Sequence, residues 1–240
     1  MTALRLDGIS KQSQRDQRLV DVLVDVSLSI ELGEVVNVSG ARGAGRSTLV
    51  RIAGGALAPD AGDVLVEGVD LFGRRRADVA RRVVVCGTQF LPAHGRVVYQ
   101  QVMLPLIALR ISRIDASLRA HRALERVGAE RLATKATAEL VPDEIIRIAL
   151  ARAIVRNPAV LLMDEPTAAL GILEREPLLR LVSEIAKESR TAVLVTGDET
   201  ASIAGADRCL RLSAGRLLGD ATPSPAEVIS LRRSSSGTSA

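Results

Sequence analysis

One short segment constrains this 240-residue chain more than any other. Gly40-Ala41-Arg42-Gly43-Ala44-Gly45-Arg46-Ser47-Thr48 fits the phosphate-cradling pattern G-x-x-x-x-G-K-[ST] at every fixed position but one, where the lysine is replaced by Arg46. The glycines let consecutive backbone N–H groups turn inward as a nest for phosphate oxygens. Val35-Val36-Asn37-Val38 before the loop reads as a short buried strand, and residues 46–54 after it read as a helix. Loop, nest and helix N-terminus together make an anion site. Ser47 stands where a hydroxyl would hold Mg²⁺. A lysine at position 46 would be a compact charge reaching the β- and γ-phosphates. Arginine is longer and planar, with a fixed fork of donors, so Arg46 keeps the charge without keeping the position. Lys11, Lys135 and Lys187 are the only lysines in the chain, and none is near the loop in sequence.

A second motif lies downstream. Val160-Leu161-Leu162-Met163-Asp164-Glu165-Pro166-Thr167 is an apolar strand ending in paired acids. In open α/β sheets ligands bind at the carboxyl ends of strands, which is where this strand delivers its acids. Asp164 can hold Mg²⁺ through water opposite Ser47, and Glu165 can polarise a water attacking the γ-phosphate.

Between and around these motifs, strands alternate with helices, which indicates a parallel sheet of α/β type. Residues 1–32 read as β-rich, with a polar stretch at 11–18. Residues 63–69, 82–86, 159–163, 191–196, 208–212 and 216–218 read as strands. The pattern is helical from 90 to 136 and from 144 to 156. Residues 177–189 read as a helix opened by Pro177, since proline suits a first helical position. From about residue 222 to 240 the chain turns Ser- and Pro-rich, which predicts a disordered tail.

Composition narrows the classes of function. Hydrophobic residues make up 47% of the chain, enough for a well-filled core. No apolar run approaches the ~18–20 residues that span a bilayer, and the Met1 region lacks a signal-peptide core, so a soluble cytosolic protein is expected. The net charge of +4 is spread along the chain and the aromatics are Phe72, Phe90 and Tyr99 only. A nucleic-acid face would interleave aromatics with basic residues, so no nucleic-acid partner is expected. Cys86 and Cys209 stand apart in apolar strand-like runs and read as buried free thiols. His94 and His121 read as surface residues.

Taken together, the chain resembles the ATP-binding subunits of ABC transporters from Leu4 to about Gly219. The loop at 40–48, Gln89 after a strand, the Ala149-Leu150-Ala151-Arg152-Ala153 helix and Asp164-Glu165-Pro166-Thr167 fall in that family's order and spacing. Residues 95–106 look like the macrolide- and lipoprotein-export branch. The resemblance implies a phosphate-loop NTPase fold with a RecA-like parallel sheet, an N-terminal antiparallel β subdomain and an inserted α-helical subdomain at about 90–156, all within one domain at 1–221. It implies ATP and Mg²⁺, held by residues 40–48, Gln89 and Asp164, with Ser47, Gln89 and Asp164 on the metal and Glu165 catalytic. It also implies a head-to-tail homodimer, or a heterodimer with another ATP-binding subunit, with ATP between the phosphate loop of one chain and the signature loop of the other. A permease membrane subunit would dock on the helical insert and hold the chain at the inner face of the plasma membrane.

Five positions depart from the family pattern. Arg46 replaces lysine. No aromatic lies between Gly8 and Asp25 to stack adenine, a loss of ~0.5–1.5 kcal/mol. The signature L-S-G-G-Q is Leu140-Val141-Pro142-Asp143-Glu144, Gly171 replaces the dimer-facing aspartate, and Gly197 replaces the switch histidine. Val141 lacks the hydroxyl, Pro142 lacks an N–H, and Asp143 and Glu144 put negative charge where a partner's phosphate would sit. Two such unit charges ~5 Å apart repel by roughly 3 kcal/mol at an effective dielectric of about 20. The expectation is therefore an ATP-binding subunit with weak or partner-dependent hydrolysis. A fully active ATPase subunit powering export and a regulatory or scaffolding protein without transport are the other two readings.

Overall fold

A computed structural model describes residues 1–15, 18–87, 97–198 and 204–219. Gln89, His94 and the tail expected at 222–240 lie outside the described residues. In chain order the elements are β1 (Thr2–Arg15), β2 (Arg18–Glu31), β3 (Val35–Ser39), α1 (Arg46–Ala53), β4 (Ala61–Val66), β5 (Val69–Asp70), α2 (Arg76–Val79), β6 (Val83–Cys86), α3 (Val98–Ala108), α4 (Arg113–Arg126), α5 (Pro142–Ile154), β7 (Val160–Asp164), α6 (Ile172–Ser189), β8 (Ala192–Gly197), β9 (Arg208–Ser213) and β10 (Arg216–Leu218).

The strands form two sheets. One is antiparallel, in the order β2-β1-β4-β5, and the other runs β10-β9-β3-β8-β7-β6. In the second sheet β9, β3, β8, β7 and β6 are mutually parallel and β10 closes the edge antiparallel to β9. The α/β class with an N-terminal antiparallel sheet and a helical insertion is as expected.

The inner parallel strands β3, β8 and β7 are buried on both faces, and their side chains divide with a period of two. Val160 and Leu162 of β7 join Ala192 and Leu194 of β8 in a core with α1 and the antiparallel sheet. Leu161, Met163, Val193 and Val195 face the other way, into a core shared with α5 and α6. The phosphate loop and the strand-end acids are thus both held by the two packed faces of one sheet.

The helical insertion is built from α3, α4 and α5, whose Val98, Val102, Leu106, Ala116, Ala120, Leu124 and Ile146 share the α6 core. Ser112 caps α4 by accepting the N–H of Asp115 at 3.1 Å, an N-terminal signature of about 1 kcal/mol.

Several boundaries differ from the sequence reading. β1 extends into the polar stretch, pairing with β2 as far as Arg15 and Arg18, since an exposed antiparallel ribbon tolerates polar side chains. The strand expected at 63–69 is broken by a turn at Glu67-Gly68, both at positive φ, between β4 and β5. Pro177 does not open its helix. α6 begins at Ile172, because the Glu174 carboxylate accepts the Gly171 N–H at 2.9 Å and starts the helix five residues earlier. α5 likewise begins at Pro142, two residues ahead of expectation. Cys86 is buried, but Cys209 is only half-buried.

Candidate functional site

The loop connects β3 to α1. Gly45 is the N-cap of α1 at φ 107°, and Leu49 N–H donates to its carbonyl at 2.9 Å. No side chain caps this helix and no acid lies in its first turn. The first-turn N–H groups, including those of Ser47 and Thr48, have no intrahelical acceptor. The glycines serve different needs. A Cβ on Gly40 would run into the carbonyl oxygen of Leu212, and one on Gly45 would come within 2.6 Å of the Val22 carbonyl oxygen and 2.8 Å of Leu23 Cδ2. Gly43, at φ 85°, has nothing described within 4 Å of such a Cβ. Gly40 therefore seats the loop against β9 and Gly45 against β2 of the antiparallel sheet, and the third glycine leaves its outer side open. Ala41, Arg42 and Ser47 are exposed, and Ala44 is buried.

The acids arrive from β7. Asp164 pairs in register with Thr196 of β8. The Thr196 hydroxyl, in a residue only 1% exposed, donates to Asp164 Oδ1 at 2.6 Å. The backbone N–H of Glu165 is shared between Thr196 Oγ1 and the Thr196 carbonyl, each at 3.2 Å. Glu165 is left-handed, at φ 48°, a conformation that costs a non-glycine residue roughly 1–2 kcal/mol. Sequence reasoning does not single out Thr196. Its signal is positional, since a hydroxyl at the end of the strand following the Asp164-Glu165 strand falls beside those acids once the strands are parallel neighbours. Thr196→Val is expected to lower unfolding free energy by about 1–3 kcal/mol by leaving Asp164 and the Glu165 amide short of a partner. Thr196→Ser should recover most of that loss in denaturant unfolding.

Arg46 reaches across from α1. Its Nη2 lies 2.6 Å from Glu165 Oε1, its side chain is 7% exposed, and that of Glu165 is 42% exposed. Arg46 Nη1 is buried without a hydrogen-bond partner among the described residues. Gly40 N–H donates to the carbonyl of Gly197 at 3.2 Å, so the end of β8 lies against the start of the loop.

These features fit a nucleotide. The orphaned Nη1, the uncapped helix start and the open side of Gly43 are what an anion needs. Ser47 and Asp164 fit Mg²⁺ as a sparse oxygen donor set completed by phosphate and water. Among the described residues no group of three or more His, Cys, Asp or Glu gathers into a metal site of its own.

The signature-like segment lies at the start of α5. Val141 is the N-cap and Pro142 the first helical residue. Valine has no hydroxyl to cap N–H groups, so half of the usual reciprocal cap is missing. The Glu144 carboxylate supplies the other half, accepting the Val141 N–H at 3.0 Å and Lys135 Nζ at 2.6 Å. Asp143 Oδ2 accepts from Arg147 Nε at 2.8 Å. Both acids, which suit the start of a helix, are also ion-paired within the chain, so their repulsion of a phosphate is smaller than that of free charges. The Lys135 ammonium and the Val141 amide hold the Glu144 carboxyl below its ordinary 4.5. A depressed carboxyl stabilises the fold above its ordinary value and loses that contribution as pH falls through the folded value. The stability difference between the wild type and Glu144→Gln is therefore expected to be flat from about pH 7 to about pH 5 and to close below about pH 4 in unfolding titrations.

A parallel sheet with a glycine loop at one strand end and paired acids at another defines a phosphate-loop nucleotide-binding cassette. The sequence model of the ABC transporter family matches residues 23–168, and the chain belongs to that family as an ATP-binding subunit. It is 36% identical over 222 residues to the lipoprotein-releasing system ATP-binding protein LolD of Bordetella avium, covering 90% of this chain and 96% of the relative. It is also 36% identical to LolD of Myxococcus xanthus, covering 90% of this chain and 99% of that protein. Among solved structures, the dimeric post-hydrolysis state of the ATP-binding cassette MJ0796 bound to ADP and Pi superposes with a TM-score of 0.79. The identity is 25%, with 90% of this chain and 97% of that one covered. Among the described residues no helix is long and apolar enough to cross a membrane.

Proposed function

We propose that this chain binds Mg-ATP at residues 40–48 and Asp164, couples that binding to a membrane permease, and hydrolyses ATP weakly or only with a partner's help. The observation that carries this reading is the pairing of Arg46 with Glu165 inside an otherwise intact loop-and-acid frame. Anion binding is supported by the uncapped α1 and the orphaned Arg46 Nη1. Weak cleavage is supported by Gly197, which brings no side chain to the switch position, and by the α5 start, where Pro142 has no N–H and the Val141 N–H is already taken by Glu144. Ser47 and Asp164 would hold Mg²⁺, whose role is to neutralise charge on the phosphates. Thr196 orients Asp164, and Glu165 is the residue able to polarise water once Arg46 releases it.

The similarity to LolD supports a lipoprotein-release type of exporter, peripheral at the inner membrane face. The dimeric MJ0796 structure supports assembly with a second ATP-binding subunit, of the same or another kind. The permease would dock on the helical insertion. There a groove of about 670 Å³ between α3 and α4 is lined by Tyr99, Met103, Leu104, Ile107 and Ile114, with Ile114 83% exposed. The intact Ser47, Asp164 and Glu165 favour a second reading, a fully active ATPase subunit.

The test of nucleotide binding is a titration of the full chain with a fluorescent ATP analogue in Mg²⁺, beside Gly43→Asp. An aspartate tolerates positive φ better than most residues, and the open side of Gly43 gives it room. Saturable binding by the wild type and a loss of at least about tenfold in Gly43→Asp, with a single cooperative melt only a few degrees lower, as its positive φ requires, is expected. Equal binding by both chains would remove the loop from the site.

A further inference from the structure

The charge at position 46 belongs, by sequence pattern, to a phosphate. In the structure it meets the chain's own carboxylate instead. Arg46 Nη2 lies 2.6 Å from Glu165 Oε1, and the guanidinium is almost wholly enclosed while the carboxylate keeps one side toward solvent. A guanidinium presents two usable edges. One is occupied by Glu165, and Nη1 on the other is buried with no partner among the described residues. A buried, half-satisfied cation is costly and invites an anion. Glu165 is itself held by backbone hydrogen bonds to Thr196 and is left-handed, at φ 48°, so its carboxylate is aimed by the main chain as well as by the arginine. The lysine that the pattern calls for is a compact point charge on a flexible stem, without the rigid planar fork that here reaches the Glu165 carboxylate.

We propose that Arg46 is a positioning residue for Glu165. In the empty site it holds the carboxylate as an internal anion, and nucleotide enters by exchange: a phosphate oxygen takes the guanidinium and Glu165 is released toward solvent. This rests on the reading of residues 40–48 as a nucleotide site. It follows that the empty pocket is less attractive to phosphate than its charge count suggests, and that the carboxylate able to polarise water is withheld until phosphate is present. No proton or bond changes hands in the exchange; one ion pair replaces another.

The experiment is a double-mutant cycle on the full chain: wild type, Glu165→Gln, Arg46→Met and the double variant. Mg-ADP affinity is read by isothermal titration calorimetry. ADP is used because it has no γ-phosphate to be cleaved during the titration. Glu165→Gln should tighten Mg-ADP by a factor roughly ten times larger in the wild-type background than in the Arg46→Met background, since contacting charges couple strongly. Melting temperatures without nucleotide give a second readout that does not depend on affinity. Glu165→Gln should melt several degrees below the wild type, because it leaves Arg46 buried and unpaired, and saturating Mg-ADP should erase that difference. If the chains carrying Arg46→Met do not fold, Arg46→Gln, which also removes the charge, takes its place in the same cycle, with the same direction expected.

Equal tightening by Glu165→Gln in both backgrounds would overturn the exchange and leave a merely structural ion pair beside a working nucleotide site. So would a melting deficit that Mg-ADP fails to erase. Absence of Mg-ADP binding by all four folded chains would remove the nucleotide reading itself, and the exchange with it.

Discussion

Arg46→Lys alone is expected to leave steady-state ATP turnover by the isolated chain within about tenfold of the wild type. Restoring the whole set should raise it by roughly 10²–10³ or more, the scale of a recovered transition-state contact. The set is Arg46→Lys with Val141→Ser, Pro142→Gly, Asp143→Gly, Glu144→Gln, Gly171→Asp and Gly197→His. On the proposed reading, the lysine by itself corrects only one of the places where the site departs from the family pattern. The start of α5 offers a partner's phosphate no hydroxyl at Val141 and no N–H at Pro142, and the Val141 N–H is engaged by Glu144 at 3.0 Å. Gly197, whose carbonyl accepts the Gly40 N–H at 3.2 Å, stands beside the loop without a side chain to touch a phosphate. The check is phosphate release at a chain concentration high enough to dimerise. Vigorous turnover by the Arg46→Lys single variant would show that the signature and switch positions matter less than their geometry indicates.

Gly45→Ala is expected to destabilise the fold by more than about 3 kcal/mol, combining a left-handed backbone penalty with overpacking. Its φ is 107°, and the new methyl would press on the Val22 carbonyl and on Leu23 Cδ2, the latter in a core residue only 1% exposed. β2 would have to move away from the loop, and with it the antiparallel sheet. For a chain of this size the melting temperature should fall by roughly 10 °C. Gly43→Ala is the contrast. Its φ is 85° but its surroundings are open, so only the backbone penalty of about 1–2 kcal/mol applies. Thermal and denaturant unfolding of the two variants measure the difference directly. Equal losses would mean that Gly45 is not packed against β2 in solution.

Much of the frame is legible in the sequence because it rests on local rules. The loop lies between an apolar strand and a helix, the apolar run at 160–163 ends in acids, and both follow from periodicity and turn chemistry. The boundaries that differ do so for local reasons too, but ones that pattern does not weight. Glu174 and Glu144 reach back to cap the amides of Gly171 and Val141, starting α6 and α5 earlier than the apolar spacing suggests. Pro177 can then sit inside a helix whose first turn is exposed, with Leu173 at 87%. The pairing of Arg46 with Glu165 and the role of Thr196 are not legible there. Both depend on which strand lies beside which and on where a long side chain finds an anion, and those are properties of the packed sheet. The neutralisation of Asp143 and Glu144 by Arg147 and Lys135 is hidden for the same reason. Sequence shows the acids, but only the fold brings the cations to them.

The most direct test of a chain that keeps an ATP pocket while lacking fast cleavage is a paired measurement on one purified sample. Mg-ATP binding and phosphate release are followed together in the wild type and in Glu165→Gln. Saturable binding, with phosphate release no faster in the wild type than in the variant, is the predicted result. Rapid release by the wild type that Glu165→Gln abolishes would contradict it.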